Sequence, residues 1–178
     1  MGFALGGLSE AGYRFVVPLF LIRHAVAGVR SSLDPFDDRR ELDDGGRHQA
    51  QTIAAEWSCD DVEAIFSSPA VRCVQTVEPL AERLGLQVQI ATELFEGASS
   101  SRSIAYVRSF TGRSVVLCSH GDVIPDVLRN LEVGGSRLEG RGCGKGSIWS
   151  LDNSTDRIES GTYYPEPPAI ARPSAQTP

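Results

Sequence analysis

Two histidines and two arginines are spaced so that they could do phosphoryl chemistry together. The stretch "FLIRHAVAG" (20–28) is an apolar run that stops on Arg23 and His24 and then passes into small residues. "SSPAVR" brings Arg72 shortly after a second apolar run, and "SVVLCSH" (114–120) ends a third on His120, followed by Gly121. An imidazole can attack phosphorus, and guanidinium groups neutralise phosphoryl oxygens bidentately. Amides at the start of a helix add further donors. Arginine suits this better than lysine, because its planar fork can hold two oxygens of a flat, metaphosphate-like transition state. A cationic setting also holds the pKa of His24 down and keeps a lone pair available, and a backbone carbonyl accepting from its other nitrogen would fix the tautomer. A histidine at a strand end is most often structural. The pairing of two such histidines with two arginines is what argues for function.

For these groups to meet, the runs that carry them must be neighbouring strands. "FVVPLFLI" (15–22) and "SVVLCSH" are continuously apolar, as strands covered on both faces are, with Pro18 near the start of the first. Between them Ala50, Ile53, Ala54 and Trp57 recur at helical spacing, "VEAIFSSP" reads as a strand, and Ala70 to Leu84 as a helix. In that helix Val71, Val74, Val77, Leu80, Ala81 and Leu84 face the core, Ser68 caps, Pro69 sits in the first turn and Gly85 stops it. "LQVQIATEL" alternates as a strand, "SRSIAYVRSF" is helical, and Gly121 and Asp122 open a helix to about Leu131. "GSIWSLDN" and "RIESGTYY" are two final strands. The expected fold is α/β, a three-layer α/β/α sandwich with a mostly parallel central sheet, whose ligand site lies beyond the C-terminal strand ends. A loose Gly-rich extension (1–14) precedes one domain (15–164), and a Pro-rich mobile tail (165–178) follows it.

Composition narrows the function classes. With 178 residues, 41% of them hydrophobic, one well-buried core is expected. A net charge of -6 without a basic run argues against nucleic-acid binding, so attraction for an anion has to be local. No apolar run nears the roughly 18 residues of a membrane span, and the start lacks a basic secretory n-region, so a cytoplasmic protein is expected. Cys59, Cys73, Cys118 and Cys143 form no CxxC pair and read as free thiols.

The segments "LIRHA", "SSPAVRCVQT" and "VVLCSHGD", in this order, resemble the three signature segments of the histidine phosphatase superfamily, the phosphoglycerate mutase-like proteins. The similarity runs from about Phe15 to Tyr164. It looks strongest to the short bacterial branch of phosphohistidine phosphatases and of domains fused to some actinobacterial Nudix hydrolases. The resemblance implies that His24 is the nucleophile, that Arg23 and Arg72 clamp the phosphoryl oxygens, and that His120 donates to the transferring group beside Gly121. It further implies a proton donor in a Leu-x-Glu segment before glycine, which fits Glu96 better than Glu93. No cofactor or metal is implied. The substrate is a small phosphorylated molecule, including a nucleotide-derived phosphate, or a phosphohistidine protein, and no oligomeric state is assigned. One departure is Ala25, where the family's usual residue is glycine; it is tolerable if its φ is negative. The expected activity is a metal-independent phosphatase acting through a phosphohistidine. The alternatives are a phosphoglycerate-type mutase and a non-catalytic phosphate-binding or docking domain. Mutases carry a large insertion before the second histidine, whereas the stretch from Arg72 to His120 has room only for a strand, a helix and a strand.

Three further features are set aside or placed at the rim. His48 falls on the polar face of its helix and reads as solvated. "GRGCGKGS" (140–147) fails as a P-loop because Glu139 stands at the first glycine and a strand follows. It reads as a flexible loop over the pocket from which Lys145 could touch a substrate. "DPFDDRRELDD" lacks EF-hand spacing and reads as a solvated loop at the rim. The histidines show no zinc-ligand spacing.

Overall fold

The computed structural model describes residues 16–30 and 34–165. The expected loose extension (1–14) and all but the first residue of the expected tail lie outside the described residues. Seven strands form one sheet: β1 (Val16–Arg23), β2 (Ala64–Ser67), β3 (Val88–Ile90), β4 (Val115–Ser119), β5 (Arg137–Glu139), β6 (Ile148–Ser154) and β7 (Ile158–Tyr164). Their order is β3-β2-β4-β1-β6-β7-β5. β3, β2, β4 and β1 run parallel, and β6 is antiparallel to both of its neighbours, so the sheet is mostly parallel as expected.

β1 sits near the middle because both of its faces must be covered. Leu19 and Leu21 pack into one core layer with the helices α3 (Ser100–Arg108) and α4 (Val123–Val133). Phe20 and Ile22 pack into the other with α1 (Asp44–Glu56) and α2 (Val71–Leu84). A continuous apolar run therefore serves two cores by alternation, which completes the three-layer sandwich.

Several local expectations are corrected. α2 begins at Val71 with Ala70, which has no side-chain cap bond to give, in the cap position, and the Ser68 hydroxyl accepts from the Ala70 amide at 3.3 Å while lying 2.7 Å from His120 Nε2. Val71, Val74 and Leu84 are only half-buried, and the fully buried stripe of α2 includes Arg72, Cys73 and Thr76. Gly85 ends the helix at φ 67°, as its sequence position required. β5, three residues parallel to β7, is an addition that no apolar pattern announces. All four cysteines are free thiols.

Candidate active site

β1 and β4 are paired in register from Leu19↔Val115 to Arg23↔Ser119, so both deliver their last residues to the same edge of the sheet. The His24 amide donates to the Ser119 carbonyl at 3.0 Å, which extends the pairing by one step. β2, on the other side of β4, delivers Ser68 and then α2 with Arg72. The imidazoles of His24 and His120 therefore face each other with ring centroids 5.3 Å apart. Arg23, His24, Arg72, Glu96, His120 and Gly121 all line one cavity of about 670 Å³. The strand-end convergence expected from sequence is present.

The backbone around His24 is fixed on every side. His24 Nδ1 lies 2.8 Å from the Ala25 carbonyl, and the Ala25 amide donates to Thr76 Oγ1 at 2.9 Å. The Val26 amide donates to Gln49 Oε1 at 2.9 Å. Thr76 and Gln49 are both buried, and sequence reading gave no reason to select them. Nδ1 is thus the donor and Nε2 carries the lone pair toward the cavity. Burial pulls the His24 pKa down from the ordinary 6.5 to about 3. The Ala25 carbonyl opposes this, while His120, Arg72 and Arg23 reinforce it. Among the described residues no non-glycine has positive φ, so Ala25 needs no glycine, and its methyl packs with Ala27, Leu42 and Ala50.

Arg72 is a buried cation, 1% exposed. Its Nη1 donates to the Asp37 carbonyl at 2.8 Å and its Nη2 to Glu96 Oε2 at 2.7 Å, with His120 Nδ1 3.4 Å away. The Asp37 carboxylate adds a contact at 3.3 Å and is itself held below the usual carboxylate range, chiefly by Arg40. The Asp-rich segment, expected as a solvated rim, therefore reaches inward to orient Arg72. His120, 1% exposed, has its Nε2 2.7 Å from Ser68 Oγ and 3.5 Å from Cys73 Sγ.

Arg23 donates from Nη1 to the Cys143 carbonyl, and its guanidinium lies flat over Gly121: a Cβ there would be 2.7 Å from Arg23 Cζ. A side chain at Gly121 would have to displace the Arg23 guanidinium from this place. The Nε atoms of both Arg23 and Arg72 are buried with no hydrogen-bond partner. The helix amides expected after His120 contribute less than anticipated, since the first of α4, at Val123, is taken by the Asp122 carboxylate.

Of the two candidate acids, Glu96 lines the cavity and is held by Arg72 and by Arg30 at 3.0 Å. Glu93 lies outside it, paired with Arg102 at 3.2 Å. His48 is exposed on α1, away from the cavity. The 140–147 segment precedes β6 as expected, but it is tied down. The Gly146 amide donates to the carbonyls of Arg23 and His24, and the Arg23 amide to Ser147. No helix among the described residues is long and apolar enough to cross a membrane.

An α/β/α sandwich that gathers two imidazoles and two incompletely paired guanidinium groups at its strand ends is the class of fold and site that handles phosphoryl groups. The chain belongs to the histidine phosphatase superfamily. The family model "Histidine phosphatase superfamily (branch 1)" matches residues 19–105, which hold Arg23, His24, Arg72 and Glu96. An 8-oxo-(d)GTP phosphatase of Mycolicibacterium smegmatis is 31% identical over 155 residues, 84% of this chain and 48% of that protein. The chain thus spans about half the length of this curated relative. Among solved structures, the protein histidine phosphatase SixA complexed with tungstate has a TM-score of 0.64 at 21% identity, covering 83% of this chain and 94% of that one. A mycobacterial glucosyl-3-phosphoglycerate phosphatase complexed with VO3 has a TM-score of 0.65 at 20% identity, covering 85% and 100%. At these identities the structures establish a shared fold.

Proposed function

We propose that the chain is a phosphatase that works without a metal, in two in-line steps through a phosphohistidine at His24. The observation that carries this reading is the neutral His24 imidazole, fixed through Nδ1 by the Ala25 carbonyl, in one cavity with the Arg23 and Arg72 guanidinium groups and His120. In the first step the Nε2 lone pair attacks phosphorus and the bond to the leaving oxygen breaks. Arg23, Arg72 and His120 hold the phosphoryl oxygens while charge spreads over them. Oxygens arriving at Arg72 compete with the Glu96 carboxylate, which on release takes a proton from solvent and passes it to the leaving oxygen. An imidazole leaving group departs without that help. In the second step water attacks the phosphohistidine, the P–N bond breaks, and its electron pair returns to Nε2.

Hydrolysis is favoured over transfer back to substrate because the cavity opens to solvent at Arg30, whose side chain is 65% exposed. The substrate is a phosphomonoester, a phosphohistidine or a nucleotide-derived phosphate. The last is supported by the likeness to the 8-oxo-(d)GTP phosphatase. The deciding experiment is turnover of p-nitrophenyl phosphate in EDTA, with trapping of an acid-labile phosphoenzyme. His24→Ala should lose both, and Arg72→Ala should lose about 10²–10³ in kcat/KM, the usual scale for one preorganised donor. Undiminished turnover in His24→Ala overturns the reading. Phosphate binding without turnover between pH 5 and 8 identifies a docking domain instead.

A further inference from the structure

The cavity holds more positive charge than one phosphoryl group needs. Besides Arg23 and Arg72 at its buried end, it is lined by Arg30, Arg40 and Lys145. Arg40 is fully engaged, donating to both Asp37 carboxylate oxygens and to the Gly28 carbonyl. Lys145 is not. Although half-buried, its ammonium has no hydrogen-bond or ion-pair partner among the described residues. A chain with 23 acidic and 17 basic residues has no shortage of carboxylates to offer it.

The carboxylates that line the same cavity are engaged by other groups. Asp43 accepts from the Gly46 amide at 2.8 Å, and Asp122 accepts from the amides of Val123 and Gly97 at 2.9 and 2.8 Å. Glu96 lies between Arg72 and Arg30. Nor is the lysine carried on a free loop. Its carbonyl accepts from Gln49 Nε2 at 3.3 Å, and the next amide, Gly146, donates to the Arg23 and His24 carbonyls at 3.1 Å each. The base of the side chain is thus fixed one residue from a direct bond to the nucleophile's own backbone. A half-buried cation kept unpaired on a rigid support is arranged for an anion that arrives from outside.

We infer that Lys145, with Arg30 at the mouth, forms a second anion subsite that selects substrates carrying a further phosphate or carboxylate beside the phosphoryl group transferred to His24. This rests on the phosphatase reading for the identity of the first subsite, but it can fail separately. The test uses binding of non-hydrolysable probes with EDTA present: methylphosphonate as the single anion, methylenediphosphonate for a second phosphate, and phosphonoacetate for a carboxylate. Calorimetry on the full chain is expected to show at least one two-anion probe binding tenfold or more tightly than methylphosphonate, and the preferred probe names the second anion. Lys145→Gln should lower that preference at least threefold, and Lys145→Arg should restore it. A wild-type preference below tenfold, or a preference that Lys145→Gln changes less than threefold, overturns the inference. So does equal weakening of all three probes, which would put Lys145 on the transferred group. The p-nitrophenyl phosphate assay of His24→Ala judges the phosphatase reading independently.

Discussion

The behaviour of the site turns on a histidine kept neutral by its surroundings. His24 titrates near 3 in the native state, against 6.5 ordinarily, so its nucleophilic form persists across the range in which free histidine would protonate. The pH profile of kcat/KM, corrected for ionisation of the substrate phosphate, is expected to show no acid limb from His24 between pH 5 and 7. The same shift bears on stability. Between about pH 3 and 6.5 the unfolded chain binds a proton at this position that the native chain refuses, so native stability is lost as pH falls through that window. His24→Gln should therefore gain on the wild type by about 2 kcal/mol when denaturant midpoints at pH 7 and 4.5 are compared. At this scale the sequence showed His24, Arg23, Arg72 and His120 because each interrupts or closely follows an apolar run. Thr76, Gln49, Ser68 and Asp37 were hidden, since their value lies in the backbone groups they meet across the fold and no local pattern marks a residue for that. The Leu-x-Glu segment before Gly97 already favoured Glu96 over Glu93, and the fold places Glu96 on the cavity and Glu93 against Arg102.

Among the elements, the contact between α1 and the loop after β1 is the tightest constraint on the nucleophile. A Cβ at Gly46 would lie 1.8 Å from the Val26 carbonyl oxygen, a backbone atom that cannot swing aside. Gly46 is in the first turn of a helix whose Gln49 holds the Val26 amide. Gly46→Ala is expected to cost about 1–3 kcal/mol, the range for an overpacked interior, and to lower kcat because the shift passes through Val26 to His24. Thermal denaturation and p-nitrophenyl phosphate turnover check the two halves. The helices and long strands were readable from periodicity and caps. What was missed follows from competition: the Ser68 hydroxyl does accept from the Ala70 amide at the helix entry, at 3.3 Å, but it is shared with His120 at 2.7 Å. Three residues of β5 with only one apolar side chain offer no period to read, and their pairing with β7 is decided by the sheet edge already formed.

For the molecule as a whole, the site is an island of positive charge in a chain of net charge -6. An oxyanion held in the cavity by Arg23, Arg72 and His120 binds only the folded form, so it stabilises that form by mass action. Vanadate or phosphate at about 100 times its Kd should add about 2.7 kcal/mol and raise Tm by roughly 5–10 °C for a domain of this size. Scanning calorimetry should find the rise absent in Arg72→Ala. The layered architecture was legible because doubly covered strands are continuously apolar, and the same feature located the site at their C-terminal ends. One consequence follows from the place of β1 in the sheet. Its two neighbours are β4 and β6, drawn from residues 115–119 and 148–154. On the ribosome, Arg23 and His24 emerge early yet have no scaffold until the last third of the domain has been synthesised. A nascent chain halted before residue 148 would carry His24 and the charged groups that act on it but lack the strand that pairs along the other edge of β1, so competence arrives late.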